Sequence, residues 1–125
     1  CITFWNGKRW LTTVVTESDH NYDMGSLFIS SEKDWKIVGP TIIGPQKWGV
    51  GGELALWQST DKGKSWHFIR QLTHNSKFNH SYVRRPLNYK TPFCFFWQMV
   101  IHIYLVNRTS TSVILTAISG NYLMK

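Results

Sequence analysis

A chain of 125 residues is long enough to bury the core of one small domain, and its 14 Lys and Arg against 7 Asp and Glu give a formal charge of +7. The cations suit an acidic ligand and equally a solvated face, but they are scattered and no nucleic-acid motif accompanies them, so nucleic acid is not an expected partner. The apolar run 93–106 is too short to span a bilayer and is broken by Gln98 and His102, so no membrane span is expected; the two cysteines, Cys1 and Cys94, make neither a disulfide framework nor a metal site.

In chain order, 2–5 is a short β-prone run, Asn6-Gly7 is a two-residue hairpin signal, and 9–16 is a second strand rich in β-branched residues. The polar stretch Ser18-Asp19-His20-Asn21-Tyr22-Asp23 leads into a strand at 24–30, a turn at Ser31-Glu32-Lys33-Asp34 and a strand at 35–38. Residues 39–52 read as a loop, with Gly-Pro twice and then Gly49, Gly51 and Gly52. Strands at 54–59 and 66–72 flank a polar turn, and a second polar stretch, Lys77-Phe78-Asn79-His80-Ser81-Tyr82, enters the next strand. No helical periodicity occurs, so the expected class is all-β, in antiparallel hairpins.

The turn between those last two strands carries the chain's most specific signal, Ser59-Thr60-Asp61-Lys62-Gly63-Lys64-Ser65-Trp66. The Asp61 carboxylate can fold back on amides ahead of it, Gly63 can take positive φ, and Ser59 and Ser65 offer short hydroxyls. Trp66 can then pack over the turn and fix the register of the returning strand. This pattern resembles the Asp-box, or bacterial neuraminidase repeat, which sits on the turn between the third and fourth strands of a β-propeller blade. The resemblance implies a sialidase-like, antiparallel, four-stranded blade at 24–72, with the box as a structural device. Trp10 holds the same place after the first turn and lies 66 − 10 = 56 residues earlier, a spacing suited to one blade.

Three further stretches, Ser18 to Ser26, Trp48-Gly49-Val50-Gly51-Gly52-Glu53, and Phe78 to Pro86, are similar to one branch of these proteins. That branch holds seven-bladed polysaccharide lyases of the ulvan-lyase type and related rhamnosidases. The likeness covers 2–97, which implies an incomplete propeller: the end of one blade, one whole blade and the start of a third. Because the chain opens on Cys1 rather than Met, it reads as an internal piece, and two blades with open edges are expected to be poorly stable or to associate, and to be inactive alone. Beyond Trp97 the likeness stops. If one G were lost after the Trp97 codon, Gln98 to His102 would slide to Ala-Asp-Gly-Asp-Pro, and 105–124 to a strand, an Asn-Gly turn and a Trp-led strand. Residues 98–125 are therefore expected to be an aberrant, frameshifted tail.

In a propeller the first strand of each blade lines the central channel, so the two polar stretches are where substrate groups are expected. The resemblance implies β-elimination on an acidic, uronate-containing polysaccharide, with no cofactor and no metal, in a secreted or periplasmic protein. Such a lyase needs a cation for the carboxylate, a base for the neighbouring C–H proton and an acid for the leaving oxygen. His20 or His80 is the candidate base, Tyr22 or Tyr82 the acid, and Arg84 or Arg85 the carboxylate partner, beside Asn21 and Asn79 as substrate contacts. Strand alternation lets only one of Arg84 and Arg85 face the channel. A His at a strand start is more often a hydrogen-bonded structural residue. The alternatives are a sialidase-like or rhamnosidase-like hydrolase, for which Arg84-Arg85-Pro86 is not the usual motif, and a propeller that only binds glycan or protein.

Overall fold

The computed structural model describes residues 1–17, 25–47, 49–86, 94–100 and 122–123. Every regular element among them is a strand: β1 (Ile2–Trp5), β2 (Trp10–Thr13), β3 (Ser26–Ser31), β4 (Asp34–Ile42), β5 (Glu53–Ser59), β6 (His67–Gln71), β7 (Asn79–Arg84), β8 (Cys94–Val100) and β9 (Tyr122–Leu123). They make three antiparallel sheets of adjacent strands, ordered β1-β2, β3-β4-β5-β6 and β7-β8-β9. The chain is all-β, and no helix of the described residues is long and apolar enough to cross a membrane.

Local chemistry sets the turns. The first hairpin closes on the pair Trp5 and Trp10, so its loop is the four residues Asn6-Gly7-Lys8-Arg9 rather than Asn6-Gly7 alone. The cause is the Asn6 side chain, whose Oδ1 accepts the amides of Lys8 and Arg9 at 2.9 Å each, while the Asn6 amide donates to the Arg9 carbonyl. Glu32 and Lys33 alone form the turn between β3 and β4, since Ser31 already pairs with Asp34. The larger departure is β4, which runs through Gly39 and Pro40, residues expected in a loop. A register shift between Gly39 and Ile42 places one extra residue on β4, and Pro40, which has no amide to give a ladder, sits buried at this bulge.

One core joins the second and third sheets. Phe28, Val38, Leu54, Leu56 and Leu72 pack with Val83 of β7 and Phe95 of β8, and Trp97 lies against them. Fully burying one such side chain is worth about 1.5–3 kcal/mol, so this cluster holds the two sheets face to face. Hydrogen bonds fix their relative position: Ser26 Oγ donates to the Val83 carbonyl at 2.7 Å, and Gly52 and His80 exchange a pair of backbone bonds at 2.9 and 2.8 Å. The glycines permit that approach, because a Cβ on Gly51 would stand 2.1 Å from the His80 carbonyl oxygen.

The first hairpin meets the second sheet at the Ser59 to Trp66 turn. Thr13 Oγ1 donates to the Gly63 carbonyl at 2.7 Å and accepts the Trp66 indole N–H at 3.2 Å, and Phe4 meets Trp35 edge-on at 5.4 Å. Strand β8 continues past Trp97, with Gln98, Met99 and Val100 opposite Ser81, His80 and Asn79. Such pairing uses backbone groups that every residue supplies.

Candidate functional site

The Ser59 to Trp66 turn forms as a closed set of side-chain to backbone and side-chain to side-chain bonds. Ser59 Oγ donates to Asp61 Oδ1 at 2.7 Å and accepts the Gly63 amide at 2.9 Å; Asp61 Oδ1 takes the amides of Lys64 and Ser65 at 2.9 Å each, and Oδ2 the Ser65 hydroxyl at 2.6 Å. The Ser65 hydroxyl and amide, with Ser59 and Lys64, stabilise the charged form and hold the Asp61 carboxyl far below the usual carboxylate range. Lys62 and Gly63 both take positive φ, 63° and 79°. Gly63 is needed twice over, because its missing Cβ makes room for Trp35, whose Cζ3 would lie 2.7 Å away. These donors and acceptors face one another within the turn, which makes it a structural element.

The chemistry-bearing residues converge on β7. Ser81 pairs with Gln98 and Arg84 with Phe96, so Tyr82 and Val83 together oppose the single residue Trp97. This is a bulge, and Tyr82 takes φ 48° there, a left-handed conformation that an aromatic residue keeps only where its surroundings impose it. Val83 turns into the core, fully buried, and Tyr82 turns out with 48% of its surface exposed. The Arg84 guanidinium lies over the Tyr82 ring at 5.3 Å from its centroid, its Nη1 donating to the Val83 carbonyl at 3.0 Å. A half-buried planar cation therefore stacks on the exposed Tyr82 ring. Arg85 lies one residue past the end of β7 and is exposed.

His80 points the other way. It is 5% exposed, and both ring nitrogens are engaged: Nδ1 accepts the Trp97 indole N–H at 2.9 Å, and Nε2 lies 2.7 Å from Ser76 Oγ. An indole N–H can only donate, so Nδ1 carries no proton and the neutral ring carries it on Nε2. The Ser76 hydroxyl then donates to Glu53 Oε2 at 2.8 Å. Burial pushes the His80 pKa down, against the opposing pull of the Glu53 charge 3.8 Å away. Glu53 is itself buried, which alone would raise its pKa. Bonds from the Thr73 hydroxyl and from the amide and hydroxyl of Ser76 outweigh this and hold it below its ordinary value.

Asn79 is fully buried and clamps the glycine-rich loop. Its Oδ1 accepts the Gln46 amide at 3.0 Å, its Nδ2 donates to the carbonyls of Gln46, Gly49 and Val50, and its own amide donates to Gln46 Oε1. Its amide is thus engaged within the fold rather than turned to solvent. Of the residues expected to act on substrate, the structure places Tyr82 and Arg84 together, Arg85 beside them, and His80 and Asn79 beneath them; His20, Asn21 and Tyr22 lie outside the described residues.

Sequence reasoning did not single out Glu53, Thr73, Ser76 or Trp97 as one cluster. They come from β5, the segment after β6, and β8, and only the spacing of Ser76 and His80, four residues apart, was visible locally. Among the described residues no group of three or more His, Cys, Asp and Glu is arranged to hold a metal ion. Compared with known proteins, the chain matches no family model, no curated protein and no solved structure.

Proposed function

We propose that the chain is part of an Asp-box β-propeller that acts on an acidic, uronate-containing polysaccharide. In this reading β3 to β6 form one blade, β1-β2 the outer strands of the blade before it, and β7-β8 the inner strands of the blade after it. The observation that carries the proposal is the Tyr82 and Arg84 pair, raised on the bulge of β7, the strand that would line the channel. Arg84 would pair with a uronate carboxylate, and that neutralisation acidifies the adjacent C–H. In the elimination a base removes that proton, the bond to the leaving oxygen breaks, a C=C bond forms conjugated to the carboxylate, and an acid protonates the departing oxygen. In this reading the Tyr82 hydroxyl would make one of these proton transfers.

A second reading has its own support. His80 is buried with both nitrogens engaged, which favours a segment that binds the glycan while proton transfer is made elsewhere or not at all. The test is incubation of the chain, carried within the complete propeller that the proposal calls for, with a polyuronate while ultraviolet absorbance is followed. A rise from unsaturated ends supports elimination, saturable binding without a rise supports the binding reading, new reducing ends without a rise indicate a hydrolase, and absence of any interaction refutes the proposal.

A further inference from the structure

Beneath the Tyr82 and Arg84 face, four side chains from four parts of the fold form one directed line of hydrogen bonds. The Trp97 indole donates to His80 Nδ1, His80 Nε2–H donates to Ser76 Oγ, and Ser76 Oγ–H donates to Glu53 Oε2. Each link has its direction set by the one before, because the line starts at a group that can only donate and ends at a carboxylate that can only accept. The Thr73 hydroxyl donates to the same Glu53 Oε2 and accepts the Leu54 amide at 2.9 Å, while Oε1 takes the Ser76 amide at 2.8 Å.

The line is joined to the bulge at the place where the bulge is decided. Trp97 is the single residue opposing Tyr82 and Val83, and His80 stands two residues before Tyr82 with its amide and carbonyl both fastened to Gly52. A bulge can migrate along a ladder, since a slip of one residue exchanges the two faces of a strand. The bond from Trp97 back to His80 ties the residue opposite the bulge to the regular pairs on its N-terminal side, so it opposes migration of the bulge toward His80. Were the bulge to move, Tyr82 and Val83 would trade faces, placing a phenol in the core and a valine on the surface.

We propose that Trp97, His80, Ser76 and Glu53 are positioning residues: their directed hydrogen bonds hold the bulge in register, keep Tyr82 and Arg84 on the exposed face, and require His80 to stay neutral. A proton on Nδ1 would face the indole N–H, two donors with no acceptor between them, so acidification breaks the first link. Glu53 of β5 is the one charged group among the described residues that acts on His80, and it is held ionised below the range in which a histidine titrates. The proposal goes beyond the glycan reading and rests on it only where binding is the readout.

The test uses the whole chain with 15N-labelled imidazoles and a polyuronate as probe. In the parent protein the imidazole shifts should report the Nε2–H form at neutral pH, and affinity should fall about tenfold between pH 7 and pH 5. His80→Gln offers an acceptor to the indole and a donor to Ser76 without a titrating group; it should bind within about twofold of the parent at pH 7 and lose the acid decline. Trp97→Phe keeps an aromatic in the core but removes the first link, so His80 should become a mixture of tautomers and the Tyr82 amide resonance should shift. An acid decline that persists unchanged in His80→Gln, or an unmoved Tyr82 resonance in a folded Trp97→Phe, overturns the proposal. Parent protein that binds no polyuronate at any pH sinks the glycan reading alone, because the imidazole and Tyr82 resonances still decide the positioning roles. Should Trp97→Phe fail to fold, the parent's tautomer and the Tyr82 resonance of His80→Gln across pH decide them.

Discussion

Replacing Gly63 and Gly7 by alanine, one at a time, separates two costs that coincide in the Ser59 to Trp66 turn. Both glycines take positive φ, 79° and 95° respectively, so each alanine pays a left-handed penalty of about 1–2 kcal/mol, partly offset by the lower entropy of an unfolded chain with alanine, about 0.4–1 kcal/mol. At Gly7 nothing lies within 4 Å of the added Cβ, so the net loss should be about 1 kcal/mol or less. At Gly63 the Cβ would stand 2.7 and 2.9 Å from Cζ3 and Cε3 of Trp35. That ring cannot simply withdraw, because its other neighbour is Phe4, met edge-on at 5.4 Å, and its indole nitrogen is buried. Overpacking of this kind costs about 1–3 kcal/mol, which brings the expected loss for Gly63→Ala to roughly 2–4 kcal/mol. Urea unfolding followed by tryptophan fluorescence measures both. Equal losses for the two variants would show that Trp35 yields freely and that the close packing of the turn is not what demands glycine.

Tyr82→Gly should leave stability unchanged or raise it by about 1 kcal/mol, since glycine takes φ 48° without strain, while polyuronate binding falls at least tenfold; a clear loss of stability would mean that the exposed ring supports the fold. Asn79→Ala should cost about 2–4 kcal/mol by removing the groups that bond Gln46, Gly49 and Val50, and Asn79→Asp should be no milder, because a carboxylate would face those carbonyls; a loss below 1 kcal/mol in chemical denaturation would contradict the clamp. For Asp61 the folded pKa lies below the unfolded one, so its contribution is whole above about pH 4 and is lost as pH falls further. The stability curves of the parent and Asp61→Asn should therefore draw together as pH falls below about 4, and parallel curves would count against the turn bonds. His80 has the same sign: its folded pKa is depressed, so the unfolded chain binds the proton more readily and stability should decline as pH drops below about 6.5, a slope that His80→Gln should abolish in thermal melts.

What could be read before any coordinates existed was whatever is local. The bonds of the Ser59 to Trp66 turn run between residues at most four apart, and the strands around them alternate or run apolar over a few residues, so the turn, the hairpins and the all-β class were legible in the sequence. Pro40 was misplaced because a proline in an apolar run looks like a break, and the bulge that accommodates it exists only in the pairing of β4 with β5. At the site, Arg84 and Tyr82 were legible as a neighbouring cation and phenol. The burial of His80 and Asn79 was not, because it comes from Trp97 across the ladder and from the glycine-rich loop 30 and more residues earlier. A polar residue entering a strand looks the same on paper whether it meets solvent or an indole.

The first hairpin is attached differently from everything else. None of its residues is buried, it contributes nothing to the core cluster, and its fastening to the second sheet consists of Thr13, Phe4 and their few partners. A lone two-stranded hairpin is marginal in water. It should swing away as a unit long before the other sheets melt, so its amides exchange with deuterium through a low-energy opening while those of β5 wait for global unfolding. On this reasoning the first hairpin is the part of the described fold expected to open first, with the Thr13 hydroxyl as its latch.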